Sequence, residues 1–269
     1  MNAAERRKYQ KEYSLVNRKF TKKYYPKVLK AVSELVSSLI ENIRVGSVRS
    51  AMIELSTTLI NDKLFKPIES LYKEVGLFHA KRNYRLIRAE INQKGMGRNE
   101  IWLQEIINYL QRNLLQFAVI KPTETLRDAL MKILEDAVNS GMSESEVIQM
   151  IKDSNLAVIQ AQRIVRTEIN RAANSGIKVS AESFGFQMSK EWIAHRDVRT
   201  RGFNPEDKKD HYHLDGQVVG LNDKFTDPRS GEQIDHPSAP EGSAGMVINC
   251  RCTYATVPKR DERGRLIKR

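Results

Sequence analysis

Four of the five histidines and both cysteines of this 269-residue chain lie in one stretch, between residues 192 and 252. Cys250 and Cys252 stand two positions apart, a spacing that puts both side chains on the same face of an extended segment. Two thiolates a few ångströms apart can bind one soft or borderline cation, and a histidine can add a nitrogen ligand. We therefore predict that any metal or proton-transfer site lies in this stretch. Its histidines are His195, His211, His213 and His236.

A structural zinc site is one use of these residues. His211, Cys250 and Cys252 would supply three ligands of a tetrahedral site, with His213 or His236 as the fourth. Against this, structural zinc sites more often contain C-x2-C pairs, and only one cysteine pair is present. The alternative is that the cysteines are reduced, partly buried packing residues, because a disulfide between residues so close in sequence would be strained.

Catalysis is a second use. His195, Asp197, His211, His213 and Asp215 could form a general-base or metal-nuclease cluster. A cysteine nucleophile would need a base to form its thiolate, and His211 could serve. Such residues also occur together by chance in polar loops, so we predict that the protein is not an enzyme and has no catalytic or cofactor-binding residues.

The net charge of +12 is concentrated at the two ends of the chain. Residues 1–30 carry ten Lys and Arg against two Asp and Glu, and residues 258–269 carry six Lys and Arg against two Asp and Glu. The segment between them has no net charge, because its basic and acidic residues are equal in number. Basic segments suit phosphate backbones, where each neutralised phosphate releases counterions. They fit an acidic protein surface, or solvated mobile termini, equally well.

The composition is that of a globular protein, with 40% apolar and 29% charged residues. No apolar run approaches the ~18 residues of a membrane span. The first residues lack the apolar stretch of a signal peptide, so we expect folding in a cytoplasm and no membrane contact.

The first two-thirds of the chain have helical periodicity. Pro26 is expected to open a helix with an apolar stripe from Val28 to Ile43, and Gly46 to interrupt it. Gly76 is expected to end a later helix, and residues 95–97 form a further break. Ser143 and Glu146 have the spacing of a capping box, which places a helix start there. A longer helix is expected from Leu156 to about Phe184.

After Gly185 the pattern changes to short strands and long polar loops. Strands are expected at 190–194, 217–219, 246–248 and 253–257. The predicted fold class is α+β, with a mostly α-helical N-terminal two-thirds and a small C-terminal α+β domain. The predicted divisions are a helical region with a basic N-terminal arm (1–155), an α+β domain (156–257) and a basic tail (258–269).

Several short motifs in order give this chain a resemblance to the phage Mu F-like head morphogenesis family, the minor capsid proteins of tailed double-stranded DNA phages. The resemblance covers about Ile164 to Thr253, and the helical region before it carries no motif of this family. Its elements are Arg166-Thr167-Glu168, Ala172-Ala173-Asn174-Ser175-Gly176, Lys190-x-Trp192, Asp197-x-Arg199-Thr200-Arg201, His211-x-x-Leu214-Asp215-Gly216, Phe225, Pro237-Ser238-Ala239-Pro240 and Ile248-Asn249-Cys250-Arg251-Cys252.

The resemblance implies a non-catalytic virion component. Its relatives associate with the portal during head assembly, and some are thought to accompany the DNA on delivery. The expected partners are the portal protein, a major capsid or scaffolding protein, and packaged double-stranded DNA through the basic termini. The expected location is the capsid interior near the portal vertex, after assembly in the host cytoplasm. The resemblance carries His211, Cys250 and Cys252, but not His213 or His236, onto motif positions that the family is suspected of using for a metal.

The charged motif residues also have a structural interpretation. Arg166 and Glu168 lie two apart on a helix and do not share a face, so one could enter the core and pair with Asp197 or Arg199. Trp192 is expected to anchor the core of the small domain. Asp215 and Gly216 are expected to form the tight turn that orients His211.

Two other classes of function are compatible with the sequence. A phage-derived toxin or nuclease-type effector would use the His/Cys cluster, although an enzyme would normally need an added domain. A nucleic-acid-binding protein unrelated to phages would be nonspecific, because aromatic residues are only 7% and no recognition motif is visible.

Overall fold

The computed structural model describes residues 1–57, 62–91, 99–113 and 119–269 of the chain. The described part is mostly helical, with short antiparallel strands near its C-terminal end, so the predicted α+β class is confirmed. The helices are α1 (Ala3–Val45), α2 (Val48–Thr57), α3 (Asp62–Glu90), α4 (Asn99–Asn113), α5 (Lys121–Asn139), α6 (Glu144–Asp153), α7 (Leu156–Glu182) and α8 (Ala244–Val247). The strands are β1 (Met188–Ile193), β2 (Val218–Gly220), β3 (Phe225–Thr226), β4 (Gln233–Ile234) and β5 (Thr253–Pro258).

Pro26 lies inside α1 and does not open it, so that prediction is wrong. A proline removes one backbone hydrogen bond from a helix interior. The apolar stripe continues on both sides of it, however, and burial of Tyr24, Val28 and Val32 holds the helix together across the gap. The predicted interruption at Gly46 is confirmed, since α1 ends at Val45.

Gly76 lies inside α3, so the prediction that it ends a helix is also wrong. Because Gly76 has no side chain, another helix can pack closely against it. A Cβ atom built on Gly176 of α7 would lie 2.1 Å from the carbonyl oxygen of Gly76, and one built on Gly76 would lie 3.1 Å from Ile106. The two glycines therefore allow the backbones of α3 and α7 to meet directly.

The predicted capping box is present at the start of α6. The backbone N–H of Glu146 donates to the Ser143 hydroxyl, and the backbone N–H of Ser143 donates to the Glu146 carboxylate at 2.7 Å. The predicted break at residues 95–97 lies outside the described residues.

The chain forms two compact units, each built from several segments. One unit comprises Met1–Thr21, Ser70–Leu110 and Arg166–Arg269, and the other comprises Lys22–Glu69 and Gln111–Val165. The divisions predicted at residues 155 and 257 cut the chain into consecutive segments, whereas each unit combines segments that are distant in sequence. The predicted domains therefore stay a prediction. The unit that contains the two terminal segments also contains every candidate site residue.

A three-stranded antiparallel sheet with the order β2-β1-β5 lies in that unit. Trp192 of β1 is opposite Tyr254 of β5, and both are fully buried. Strands β3 and β4 form a separate pair. The strands predicted at 190–194, 217–219 and 253–257 are confirmed. The strand predicted at 246–248 is wrong, because Ala244–Val247 form one helical turn whose residues Met246 and Val247 are buried.

Both basic ends of the chain are ordered. The N-terminal segment is the start of α1, and its residues Tyr9, Gln10 and Tyr13 are buried. At the other end, Gln187 donates to the carbonyl of Ile267 at 2.8 Å, and Lys259 donates to the carbonyl of Gln187 at 2.8 Å. The predicted arms are therefore parts of the folded unit and not loose extensions.

Candidate metal centre and arginine-lined clefts

His211, Cys250 and Cys252 form a buried cluster. The Nδ1 atom of His211 lies 3.5 Å from the Cys250 sulfur and 3.7 Å from the Cys252 sulfur, and the three potential ligand atoms lie within 4.8 Å of one another. A sulfur and a nitrogen on one tetrahedral zinc ion lie about 3.5 Å apart, given Zn–S of about 2.3 Å and Zn–N of about 2.0 Å. The cluster thus has the dimensions of a site for one ion. It is the one group of this kind in the part of the chain that the structure describes.

Two loops bring the ligands together. His211 lies in the long connection from β1 to β2, and the cysteines lie between α8 and β5. The edge of Trp192 contacts the His211 ring at a centroid distance of 5.5 Å, and the Met246 sulfur lies 3.3 Å from its Nε2 atom. These contacts hold the ring with Nδ1 facing the cysteines.

The two thiols differ in acidity. Burial disfavours a thiolate at Cys250, but the Cys252 thiol, His211 and Arg201 outweigh it and hold the pKa of Cys250 well below its usual range. The pKa of Cys252 is raised well above its usual range, because this thiol is hydrogen-bonded to Cys250, is buried, and lies beside the charge of Cys250. Loss of a proton from the first thiol is therefore favoured and loss from the second is opposed, and a bound cation would favour both.

The structure does not bring either predicted fourth ligand to the cluster. His213 is exposed, and its Nδ1 lies 2.8 Å from the carboxylate of Asp210. His236 is buried, stacked on Tyr254, with Nδ1 3.1 Å from the carbonyl oxygen of Pro237. Neither His213 nor His236 belongs to the cluster in this structure, because each ring has its own partner elsewhere.

The five polar residues considered for catalysis do not form one cluster, although two of them contact each other. His195 lies beside Asp197 at 3.3 Å and beside Arg251 at 3.2 Å. Burial and the Arg251 charge lower the pKa of His195, which keeps it neutral near pH 7. His211 faces the cysteines and His213 faces Asp210, so no shared general-base cluster forms.

Asp197 binds Arg251, the residue between the two cysteines. Both guanidinium nitrogens donate to its two carboxylate oxygens at 2.5 Å. These hydrogen bonds hold the pKa of Asp197 well below its usual range, against the opposing effect of partial burial. Arg199 is a weaker neighbour at 3.7 Å and is mostly exposed.

Asp215 fixes the turn that was expected to orient His211. Its carboxylate accepts the backbone N–H of Ala194 at 2.9 Å and the guanidinium of Arg6 at 3.1 Å. Gly216 has φ +86°, a conformation that favours glycine, and donates to the carbonyl of Trp192 at 2.8 Å. The turn is therefore tied to β1 and to helix α1.

Glu168 enters the core, but its partner is not the one expected. Arg171, three residues along α7, donates to both of its carboxylate oxygens at 2.6 and 2.8 Å, and the Tyr72 hydroxyl donates at 2.7 Å. Burial raises the pKa of Glu168 despite these partners. Arg166 is exposed on the other face of α7, and Asp197 is already bound to Arg251.

Two clefts run beside the first turns of α1, and together we call them the α1 groove. The first has a volume of about 480 Å³ and the second about 530 Å³, and they share Ser14, Arg18 and His195. The cationic residues of the first are Arg6, Arg7, Lys11, Arg18 and Arg196. Those of the second are Arg18, Arg166, Arg199 and Arg251.

The groove was not predicted from the sequence. The basic residues near the N-terminus are visible in the sequence, but their clustering predicts an arm. The spacing of these residues is the signal in the sequence that could have revealed one wall of the groove. They recur at intervals of three and four residues and so share one face of α1: Arg7, Lys11, Ser14 and Arg18. Their partners across the groove, Arg166 and the loop after β1, are remote in the sequence.

Residues 128–255 match a protein family. The family is described as Phage Mu protein F like protein. The predicted resemblance is confirmed over this segment, which contains every matched motif from Arg166 to Cys252. It begins in α5, well before the Ile164 boundary that the motifs indicated. The match points to a phage head morphogenesis protein.

One curated relative extends the comparison. The chain is 24% identical over 151 residues to a protein of Bacillus subtilis (strain 168) described as uncharacterized protein YqbB. The aligned region covers 56% of this chain and 48% of the relative, so the chain spans about half the length of that protein. No solved structure is detectably similar to this chain. None of the helices in the described ranges is long and apolar enough to cross a membrane.

Proposed function

We propose that this protein is a minor capsid protein that acts in the head morphogenesis of a tailed double-stranded DNA phage. The match to the Mu F-like family over residues 128–255 carries this proposal. Its residues converge on one folded core: Trp192, His211 and both cysteines are buried side by side in a single unit. The protein acts by binding and not by catalysis, and its partners are the portal, the major capsid or scaffolding protein, and packaged DNA.

Incorporation into heads tests this function. The chain is expressed with the portal, scaffolding and major capsid proteins of the same phage, and the heads are purified and analysed by quantitative mass spectrometry. We expect a few copies per head, retained after washing in moderate salt and lost when the portal is omitted. Absence from portal-containing heads would refute the proposal. Equal retention without the portal would refute the portal contact alone.

We further propose that His211, Cys250 and Cys252 hold one structural zinc ion, whose fourth tetrahedral position would be filled by water. The observed sulfur–nitrogen separations of 3.5 and 3.7 Å fit the ion, and the nearby Arg201 and the lowered pKa of Cys250 favour the thiolate that it requires. The ion would tie the loop before β2 to the segment before β5. That link would stabilise the Mu F-like core and would take no part in a reaction.

A toxin or nuclease-type effector is not favoured by any contact in the site. The histidine that would serve as a base, His211, is buried between Trp192, Met246 and the cysteines. The same burial keeps a substrate away from it.

A further inference from the structure

The second cleft of the α1 groove is lined by four arginines and by no aspartate or glutamate. The first is lined by five cationic side chains and one carboxylate, that of Asp215. Such a concentration of one charge along a concave surface focuses the electrostatic field and attracts an anionic ligand.

Some of these cations already have partners. Arg6 and Arg196 bind Asp215, and Arg251 binds Asp197. In each pair the carboxylate neutralises much of the arginine charge, so these three arginines contribute little to the binding of an anionic ligand. The Arg6–Asp215 pair holds the loop after β1 against the first turn of α1.

The remaining cations are available to a ligand. Arg7, Lys11, Arg18 and Arg166 are exposed and form no ion pair with any residue that the structure describes. Arg199 is 75% exposed, and its neighbour Asp197 is already bound at both oxygens by a different arginine. The groove therefore presents a row of unneutralised cations.

We propose that the α1 groove binds the phosphate backbone of double-stranded DNA. Arg7, Lys11 and Arg18 would contact successive phosphates along α1, and Arg166 and Arg199 would contact them from the opposite wall. The proposal rests on the proposed function, which places the protein beside packaged DNA, and it moves the DNA contact from two terminal arms to one folded surface.

The dimensions of the groove fit this ligand. Eleven residues of α-helix separate Arg7 from Arg18, a rise of about 16 Å. Over that length one strand of B-DNA presents about five phosphates. Ser14, Asn17 and Asn249 line the second cleft between the cations and can donate hydrogen bonds to phosphate oxygens.

The lining disfavours other partners. Single-stranded nucleic acid is generally bound with exposed aromatic side chains on which bases stack. Tyr13 is the one tyrosine, phenylalanine or tryptophan that lines either cleft, and it is buried and donates to Asn170 at 2.8 Å. The ring of His195 lies against Asp197 and Arg251. The centre of a protein–protein interface is usually apolar or aromatic, whereas the lining here is mostly cationic and polar.

A pair of charge-matched variants tests the proposal. The first, Lys11→Glu/Arg18→Glu, reverses two cations of the groove. The second, Lys8→Glu/Lys19→Glu, reverses two exposed cations of the same helix that do not line the groove. Both variants have the same net charge. Binding of the full chain to a fluorescein-labelled 30-base-pair duplex of mixed sequence is measured by anisotropy between 50 and 200 mM NaCl.

We expect the groove variant to weaken binding by about tenfold or more and to reduce the salt slope by about two, since each lost phosphate contact removes about one. The control variant should bind within about twofold of the wild type. Thermal melting of both variants verifies that each is folded.

Three results would overturn the proposal. Equal weakening by both variants would show that the attraction is spread over the whole basic surface. Unchanged duplex binding by the groove variant, with loss of portal association, would make the groove a protein contact. A wild-type chain that enters heads but does not bind the duplex would refute the DNA site alone, whereas a chain that binds DNA but is absent from heads would refute the proposed function.

Discussion

Arg251, which stands between Cys250 and Cys252, is bound through both guanidinium nitrogens by the two carboxylate oxygens of Asp197. The contact joins the loop after β1 to the segment before β5, and His195 lies beside it. A two-point arginine–carboxylate contact fixes orientation as well as distance. It therefore fixes the position of the cysteine pair relative to the loop that leads to His211.

Asp197→Asn is expected to lower stability by about 1 kcal/mol near pH 7, because the pair is partly exposed and the amide keeps only part of the hydrogen bonding. The pKa of Asp197 is lowered in the folded state, so its contribution is complete above the ordinary value of 3.8 and is lost as pH falls below it. Melting curves from pH 7 to pH 2.5 should show the gap between wild type and variant narrowing below about pH 4.

Arg251→Lys is the companion variant. Lysine retains the positive charge but cannot form the two-point contact, so its stability should fall between those of wild type and Asp197→Asn. A gap that stays constant down to pH 2.5 would contradict the assigned role of Asp197.

Arg171→Met is expected to be strongly destabilising, by about 3–5 kcal/mol, because it leaves the buried carboxylate of Glu168 without its cation. The matched control is Arg166→Met, the same substitution on the exposed face of the same helix, which should change stability by less than about 0.5 kcal/mol. Urea unfolding followed by circular dichroism measures both.

The double variant Glu168→Gln/Arg171→Met should recover part of that loss, because it removes the buried charge together with its partner. If the double variant is no more stable than Arg171→Met alone, the buried ion pair is not the cause of the loss.

Gly176→Ala is expected to destabilise the protein by about 3 kcal/mol, since the added Cβ would lie 2.1 Å from the carbonyl oxygen of Gly76 and the helices would have to separate. Gly185→Ala is the control, because nothing lies within 4 Å of a Cβ at that position. Equal melting temperatures for the two variants would show that α3 and α7 do not meet at these glycines.

Zinc content provides the test of the His/Cys cluster. We expect near-stoichiometric zinc by elemental analysis in protein purified without chelator, and its loss in Cys250→Ser/Cys252→Ser and in His211→Ala, with a lower melting temperature in each. His213→Ala, an exposed histidine two residues from the cluster, should keep the metal. A metal-free wild type with an equally stable cysteine variant would reduce the pair to packing residues.

Local patterns predicted much of the secondary structure. The buried stripe of α1, the capping box of α6 and the alternation of β5 depend on residues close in sequence, so the period alone reveals them. Two of the errors share one cause. Pro26 and Gly76 have strong local preferences for ending helices, yet burial of the apolar stripe around Pro26 and the contact of Gly76 with Gly176 override those preferences.

The sequence by itself determined that Cys250 and Cys252 act as a pair, since their spacing along an extended segment puts them together. It also determined the Mu F-like resemblance, because ordered motifs need no coordinates. It did not distinguish His211 from His213, which stand two residues apart in the same loop.

Only the tertiary structure decided that choice. Trp192 and Met246 bury His211 against the sulfurs, while Asp210 holds His213 in solvent. The same holds for the α1 groove, whose walls are more than 140 residues apart along the chain. Which side chains meet across such separations depends on how the helices and strands pack, and packing is set by the shape and burial of the whole unit and not by local preference.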